Sequence, residues 1–235
     1  MALIVPGPLV GDISGSVGGT TFARNAGGLY ARRRTVPINP SSTYQGTVRS
    51  ALSSLVARWY TILTAAQREA WANYAAAVQL PNALGFLHNV PPLSHYIRSN
   101  VPRIQADNAA IDVVDDAPTT FGLASFNDPT PGVPSEATQN FTLDFVETDQ
   151  WLDHTGACML IYVSRPQNQT VNYFKGPYRY RQIVLGDDTT PPSSPVTVSA
   201  PFPFAAGQRL FIRVMVSRED GRLSTPFRTY ATCGA

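Results

Sequence analysis

The sequence predicts an α+β chain in several parts: an extended N-terminal arm with a hairpin, a small helical region, and a C-terminal antiparallel β-sandwich of about seven strands. Three observations predict it. Residues 11–40 are rich in glycine and poor in residues able to fill a core. Between residues 42 and 104 apolar residues recur at intervals of three and four, the spacing of one helix face. Beyond residue 121 the period falls to two, and Pro, Gly and Asp punctuate short apolar runs. The expected boundaries are 1–41 for a basic arm, 42–104 for the helices, 105–120 for an acidic linker and 121–235 for the sandwich.

In the arm, Thr20–Arg24 and Leu29–Arg34 alternate around an Asn25-Ala-Gly27-Gly28 turn signal, which reads as a hairpin presenting Phe22 and Tyr30 on one face. A lone hairpin is marginal in water, so it is expected to lie on another surface. Val36-Pro37-Ile38-Asn39-Pro40 follows as a strap whose prolines hold it extended.

Val48, Leu52, Leu55, Trp59 and Ile62 make one apolar stripe on a first helix. Thr64-Ala-Ala-Gln67 is a capping box, in which the threonine hydroxyl and the glutamine side chain satisfy each other's free amides. It opens a second helix with Ala70, Trp71, Tyr74 and Val78 inward, stopped by Pro81. Pro91-Pro92 can start a third through Leu93, Tyr96, Ile97 and Val101, which Pro102 should end.

Strands are expected at 121–127, 140–147, 158–165, 178–185, 195–200, 208–218 and 224–232. Phe141, Leu143 and Phe145 share one face, with Thr142 and Asp144 opposite; Leu210, Ile212, Val214 and Val216 alternate against Arg213. This number of short strands fits a sandwich of the immunoglobulin or fibronectin type III kind.

Composition narrows the function. Charged residues are 14% of a 235-residue chain that is 43% hydrophobic, which suits a subunit that hides surface against neighbours, and equally a turn-rich β fold with 20 prolines and 17 glycines. The net charge of +2 conceals a segregation. Residues 1–60 carry six arginines against Asp12 alone, while ten acids and no Lys or Arg lie between Ile104 and Ser164. A basic arm and an acidic stretch can pair, within one subunit or between subunits. Arg32, Arg33 and Arg34 beside Tyr30 could touch phosphates, but one short patch argues for an acidic protein neighbour over nucleic acid.

The sequence offers no strong catalytic or metal-binding motif. His95 lies in an apolar helical pattern and reads as a packed histidine. Gly15-Ser-Val-Gly18-Gly19 lacks the Lys and Ser/Thr of a phosphate loop, and no serine sits in a nucleophile elbow. Asp112, Asp115 and Asp116 could hold calcium loosely but lack the spacing and glycine of a calcium loop, and a solvated linker is the better reading. Cys158 and Cys233 fall at opposite ends of parallel-running strands, so no bridge is expected. No catalytic residue, cofactor or metal site is expected. No apolar stretch approaches the roughly 20 residues that span a bilayer, and the first eight residues do not form a signal peptide. The expectation is a protein made in a cytoplasm that joins an assembly.

Two strings carry a resemblance. Ser14-Gly-Ser-Val-Gly-Gly-Thr-Thr-Phe22-Ala-Arg24 through Arg32-Arg33-Arg34, then Pro37-Ile-Asn-Pro40 and Gln45, then Leu63-Thr-Ala-Ala-Gln67-Arg68-Glu-Ala-Trp71, resemble a family of uncharacterised proteins associated with tailed bacteriophages and prophages; Ser94–Arg103 resembles the stretch that follows. Val214-Met-Val-Ser-Arg-Glu-Asp-Gly221-Arg-Leu-Ser224 is similar to the late-strand turn of fibronectin type III repeats, although Leu210 stands where that family places a tyrosine. The first resemblance implies a structural component of a virion, a capsid-associated minor or cement protein anchored by its arm. The alternatives are a tail, neck or baseplate subunit, or a host-surface-binding module using the sandwich loops, with Trp151, Tyr173, Phe174 and Tyr178 near its site. Other virion proteins, in a homo-oligomer or symmetric assembly, would be the partners. Phe22, Arg24, Tyr30, Arg32, Arg33 and Arg34 are the expected interface residues.

Overall fold

The computed structural model describes residues 2–3, 7–8, 10–25, 28–35, 41–81, 87–107, 109–174 and 176–234. The fold is α+β and divides into two compact units, Met1–Ser42 and Thr43–Ala235. The strap at 36–40 and the two middle residues of the hairpin turn lie outside the described residues.

The first unit is a four-stranded antiparallel sheet in the order β1-β4-β3-β2, built from β1 (Ala2–Leu3), β2 (Gly15–Val17), β3 (Thr20–Asn25) and β4 (Gly28–Arg33). Gly18 at φ +57° forms the tight turn from β2 to β3. No described residue of this unit is buried.

The second unit opens with α1 (Thr43–Thr61) and α2 (Ala65–Ala77). The capping box forms: the Thr64 hydroxyl accepts from the Gln67 amide at 3.2 Å, and Gln67 Oε1 accepts from the Thr64 amide at 2.9 Å. The buried face of α1 is Ala51, Leu55 and Trp59, with Leu63 beyond; Leu52 and Ile62 face outward. The buried stripe thus runs through Ala51, Leu55 and Trp59, and Val48 is half-buried. On α2 the inner residues are Trp71, Tyr74 and Ala75, with Val78 just past the end, and Ala70 is exposed. β5 (Gln79–Pro81) pairs with β6 (Leu87–Asn89) before α3 (Pro92–Ala106) begins.

Helix α3 does not stop at Pro102. It runs one further turn and ends where Asp107 turns left-handed at φ 46°. Proline removes one hydrogen bond from a helix interior, but the turn beyond it is held from outside. Arg103, only 3% exposed, donates to the carbonyls of Asp112, Gly156 and Arg218 and to the Ser217 hydroxyl. Burial lowers its pKa, and its partners supply acceptors in place of a counter-charge.

Residues 105–120, read as an acidic linker, are bonded into the second unit. Ile111 is buried, Asn100 clamps Val114 through both amide groups, and Asp115 accepts from Arg58, from the Tyr96 hydroxyl and, through its carbonyl, from Trp71 Nε1.

The remaining strands are β7 (Thr130–Pro131), β8 (Asn140–Asp144), β9 (Cys158–Ser164), β10 (Tyr178–Leu185), β11 (Val196–Ser199), β12 (Arg209–Ser217) and β13 (Phe227–Thr232). They form a four-stranded sheet, β10-β9-β12-β13, and a three-stranded sheet, β11-β8-β7. Phe141 and Leu143 from β8, Met159, Ile161 and Val163 from β9, and Ile212, Val214 and Val216 from β12 share one core with Trp151 and Leu152. Every residue of β9 is buried, since its other face, Cys158, Leu160 and Tyr162, packs with Ala106 and Ile111. The helical end thus covers part of the second face of the four-stranded sheet, so the strands do not stand as a separate seven-stranded body.

Three strand limits differ from expectation by more than one residue, and at each a backbone amide is taken elsewhere or missing. Residues 121–127 form no strand: the Asn127 amide and side chain both donate to the buried Asp149 carboxylate, and pairing waits until Thr130. β8 stops at Asp144 because the Phe145 amide donates to the Ser194 hydroxyl at 2.9 Å. The last strand starts at Phe227, after Ser224 has closed a turn onto Val216 with its amide and hydroxyl and Pro226 has removed a donor.

Candidate interaction surfaces

Register decides what the N-terminal sheet presents. Phe22 pairs with Ala31 and Tyr30 with Ala23. Side chains directly opposite in an antiparallel pair share a face, and neighbours along a strand alternate. Each pair joins an even-numbered to an odd-numbered residue, so Phe22 and Tyr30 project from opposite faces, not from one. Arg33, opposite Thr20, lies on the face of Phe22, Arg24 and Leu29; Arg32, opposite Thr21, lies on the face of Tyr30 and Ala23. Arg34 follows the strand, its amide donating to the Gly19 carbonyl at 2.8 Å. The arginine run therefore arms both faces.

Phe22 and Tyr30 are half-buried, while Arg24, Arg32, Arg33 and Arg34 are exposed. Arg24 reaches Asp12 at 3.4 Å, with both side chains more than half exposed, a contact that contributes about 0–1 kcal/mol. Among the described residues, Arg32, Arg33 and Arg34 form no ion pair.

In the second unit, Trp151 is fully buried and packs on Phe145 at 5.7 Å, so it belongs to the core and not to a surface. Tyr173 and Phe174 are exposed, and Tyr178 is half-buried on β10. Asp112, Asp115 and Asp116 do not converge: Asp115 is committed to Arg58 and Tyr96, and Asp116 accepts from Gln67 Nε2 at 2.8 Å. No group of three or more His, Cys, Asp or Glu placed to hold a metal occurs among the described residues. His95 is 1% exposed and stands edge-on to Tyr74; burial lowers its pKa, Arg98 adds to the effect, and a hydrogen bond with the Val78 backbone opposes it. Cys158 and Cys233 are unbridged and buried, and burial pushes each thiol up to about 11.

One surface was not foreseen. Along β12, Arg209, Phe211 and Arg213 point away from the shared core, and their partners Tyr162, Tyr178, Arg228 and Tyr230 lie on that side too. The Arg213 guanidinium lies 4.4 Å from the Tyr162 ring centroid and 5.5 Å from that of Tyr178; Arg209 lies 4.3 Å from Tyr230. Such stacks hold a guanidinium without a carboxylate. Tyr180, beside Tyr162, has its hydroxyl pKa pushed up to about 12 by burial. The signal for this face was in the sequence, as Arg at positions 209 and 213 and Tyr at 178 and 180, each spaced evenly along a strand.

No family model matches the chain. No match to a curated protein was found. Among solved structures the chain is similar to a family 76 glycoside hydrolase from a bovine Bacteroides thetaiotaomicron strain, at 13% identity and a TM-score of 0.30, over 46% of this chain and 21% of that one. The chain thus spans about a fifth of the length of that protein, and a likeness this slight carries no argument about fold or chemistry. Among the described residues, no helix is long and apolar enough to cross a membrane.

Proposed function

We propose that the protein is a structural component of a bacteriophage virion, a capsid-associated minor or cement protein whose N-terminal sheet anchors it to other virion proteins. The observation that carries this reading is the first unit: a sheet with three exposed, unpaired arginines and no buried residue among those described. A sheet needs a packed face to be stable alone, so such a unit gains its stability from a neighbour. The resemblance of residues 11–104 to virion-associated proteins agrees with it.

The C-terminal strands are read as a β-sandwich of the fibronectin type III kind. The division into β11-β8-β7 and β10-β9-β12-β13 around one core supports that reading. The exposed Tyr173 and Phe174 favour a second role for this part, as a host-surface-binding module.

The test is incorporation. The chain with Arg32, Arg33 and Arg34 all replaced by glutamine is supplied to particles assembling without the native protein. The expected result is reduced incorporation that falls further with salt, as screening shortens to about 3 Å at 1 M. Equal incorporation of variant and native chain at low salt overturns arginine-mediated anchoring, and absence of the native chain from purified particles overturns the virion role.

A further inference from the structure

The outer face of the four-stranded sheet collects cationic and hydroxyl donors, of which Arg209 Nη1 reaches the Val171 carbonyl at 2.7 Å while others have no acceptor. Tyr178 Oη, Arg209 Nε and Arg213 Nε are buried atoms without a hydrogen-bond partner. Among the described residues, Arg209, Arg213 and Arg228 form no ion pair with any carboxylate. Arg213 and Arg228 are directly opposite on β12 and β13, like charges side by side on one face, an arrangement that costs free energy unless an anion lies between or over them. From His154 to Gly186 the chain has four cations and no acid.

The complementary charge is on the same molecule, across the core. On β8, Phe141 and Leu143 enter the core and Asp144 points the other way, exposed. Thr130 pairs with Asp144, which brings Asp128, two residues upstream of β7, to the same end. Asp128 and Asp144 are exposed, and among the described residues neither carboxylate has a hydrogen bond or ion pair. Arg213 leaves the core from the four-stranded sheet and Asp144 from the three-stranded sheet, and among the described residues no ion pair joins the two patches within one subunit.

We propose that the Arg209, Arg213, Arg228 and Tyr178 face docks the acidic corner at Asp128 and Asp144 of a second copy of this chain. The inference rests on the reading of the protein as an assembly component and deepens it by naming the contact. Because the patches are different surfaces, the contact is head-to-tail, and it propagates as a ring or an open row instead of closing as a two-fold dimer. Guanidinium forks held by aromatic rings meet carboxylates bidentately, which sets the orientation of successive copies.

Sedimentation velocity on the full chain, over a concentration series at low and high salt, tests it. The native chain is expected to associate beyond a dimer and to dissociate at about 1 M salt. R213E/R228E and D128K/D144K are each expected to associate at least tenfold more weakly alone. Mixed, they are expected to recover association, since one then has two acidic patches and the other two basic ones. Circular dichroism checks that each variant folds, and R228E with D144K, both at exposed positions, is the fallback pair if the double changes do not. A native chain that stays monomeric throughout overturns the proposal, as does association that ignores both reversals or is not restored on mixing. A monomeric chain still taken up by particles defeats this contact alone. A chain that associates in solution yet is missing from particles defeats the virion reading alone.

Discussion

Asp115 accepts two hydrogen bonds from the Arg58 guanidinium, at 2.7 and 2.6 Å, across 57 residues of sequence. The Tyr96 hydroxyl donates to the same carboxylate at 2.9 Å, so one acid joins α1, α3 and the segment after it. Arg58 is the first cause of the lowered Asp115 pKa, and burial works against it. Asp115→Ala leaves the Tyr96 hydroxyl and the Arg58 guanidinium without this acceptor and is expected to destabilise by about 1–3 kcal/mol. Tyr96→Phe, which keeps the ion pair, is expected to cost about 0.5–1.5 kcal/mol. Urea unfolding of both variants measures the difference, and a larger loss in Tyr96→Phe contradicts it.

Trp71 is fully buried, edge-on to Tyr74 at 5.7 Å and to Tyr96 at 5.6 Å, with its indole N–H donating to the Asp115 carbonyl. Trp71→Ala is expected to cost about 3–5 kcal/mol. Trp59, 7% exposed at the rim of the same cluster, is expected to cost less. Thermal unfolding of the two alanine variants ranks them, and the reverse order rejects this account of the core.

His95 sets a pH dependence. Its folded-state pKa lies below the ordinary value of about 6.5, so the unfolded chain binds more protons between the two values and stability rises with pH there. The contribution is complete above about pH 6.5 and is lost as pH falls below it. Melting temperature is expected to drop from pH 7.5 to pH 5, and His95→Gln is expected to flatten that limb. Asp115 acts in a lower window: its depressed pKa adds stability that is present above about pH 3.9 and lost as pH falls further.

Limited proteolysis separates the two units. With no buried residue among those described, residues 1–42 have little to hold them closed against cleavage. Trypsin on the isolated chain is expected to cut first at the arginines between 24 and 34, leaving a resistant fragment that starts at Thr35. Mass spectrometry identifies it, and first cuts within 158–217 contradict the expectation.

Much of the local structure was legible in the sequence. Thr64 and Gln67 announced a helix start because a capping box is a contact three residues long. The cores of β8 and β12 announced themselves because a period of two needs no partner to be read. What was hidden depends on partners far along the chain. That Asp149 would take the Asn127 amide, or Ser194 the Phe145 amide, is invisible until the loops close, and those two bonds set where strands end. The opposed placement of Phe22 and Tyr30 follows from the register of the β3–β4 pair, and a shift of one residue would have reversed it. The expected interface residues are exposed or half-buried and divided between two faces. The Arg and Tyr face was overlooked because its members come from four strands, and only pairing assembles them.

The Arg103 bonds carry a consequence for how the C-terminal part can be used. A cation that sits 3% exposed among the carbonyls of residues 112, 156 and 218 is solvated only while all three segments are in place. Severing the chain between 105 and 120 would strand that charge in one half and leave unanswered carbonyls in the other, a loss of several kcal/mol on either side of the cut. The strands from β7 to β13 are therefore not a cassette that recombination could move onto another scaffold intact. They travel with α3, and residues 43–235 should be inherited, expressed and unfolded as one cooperative piece.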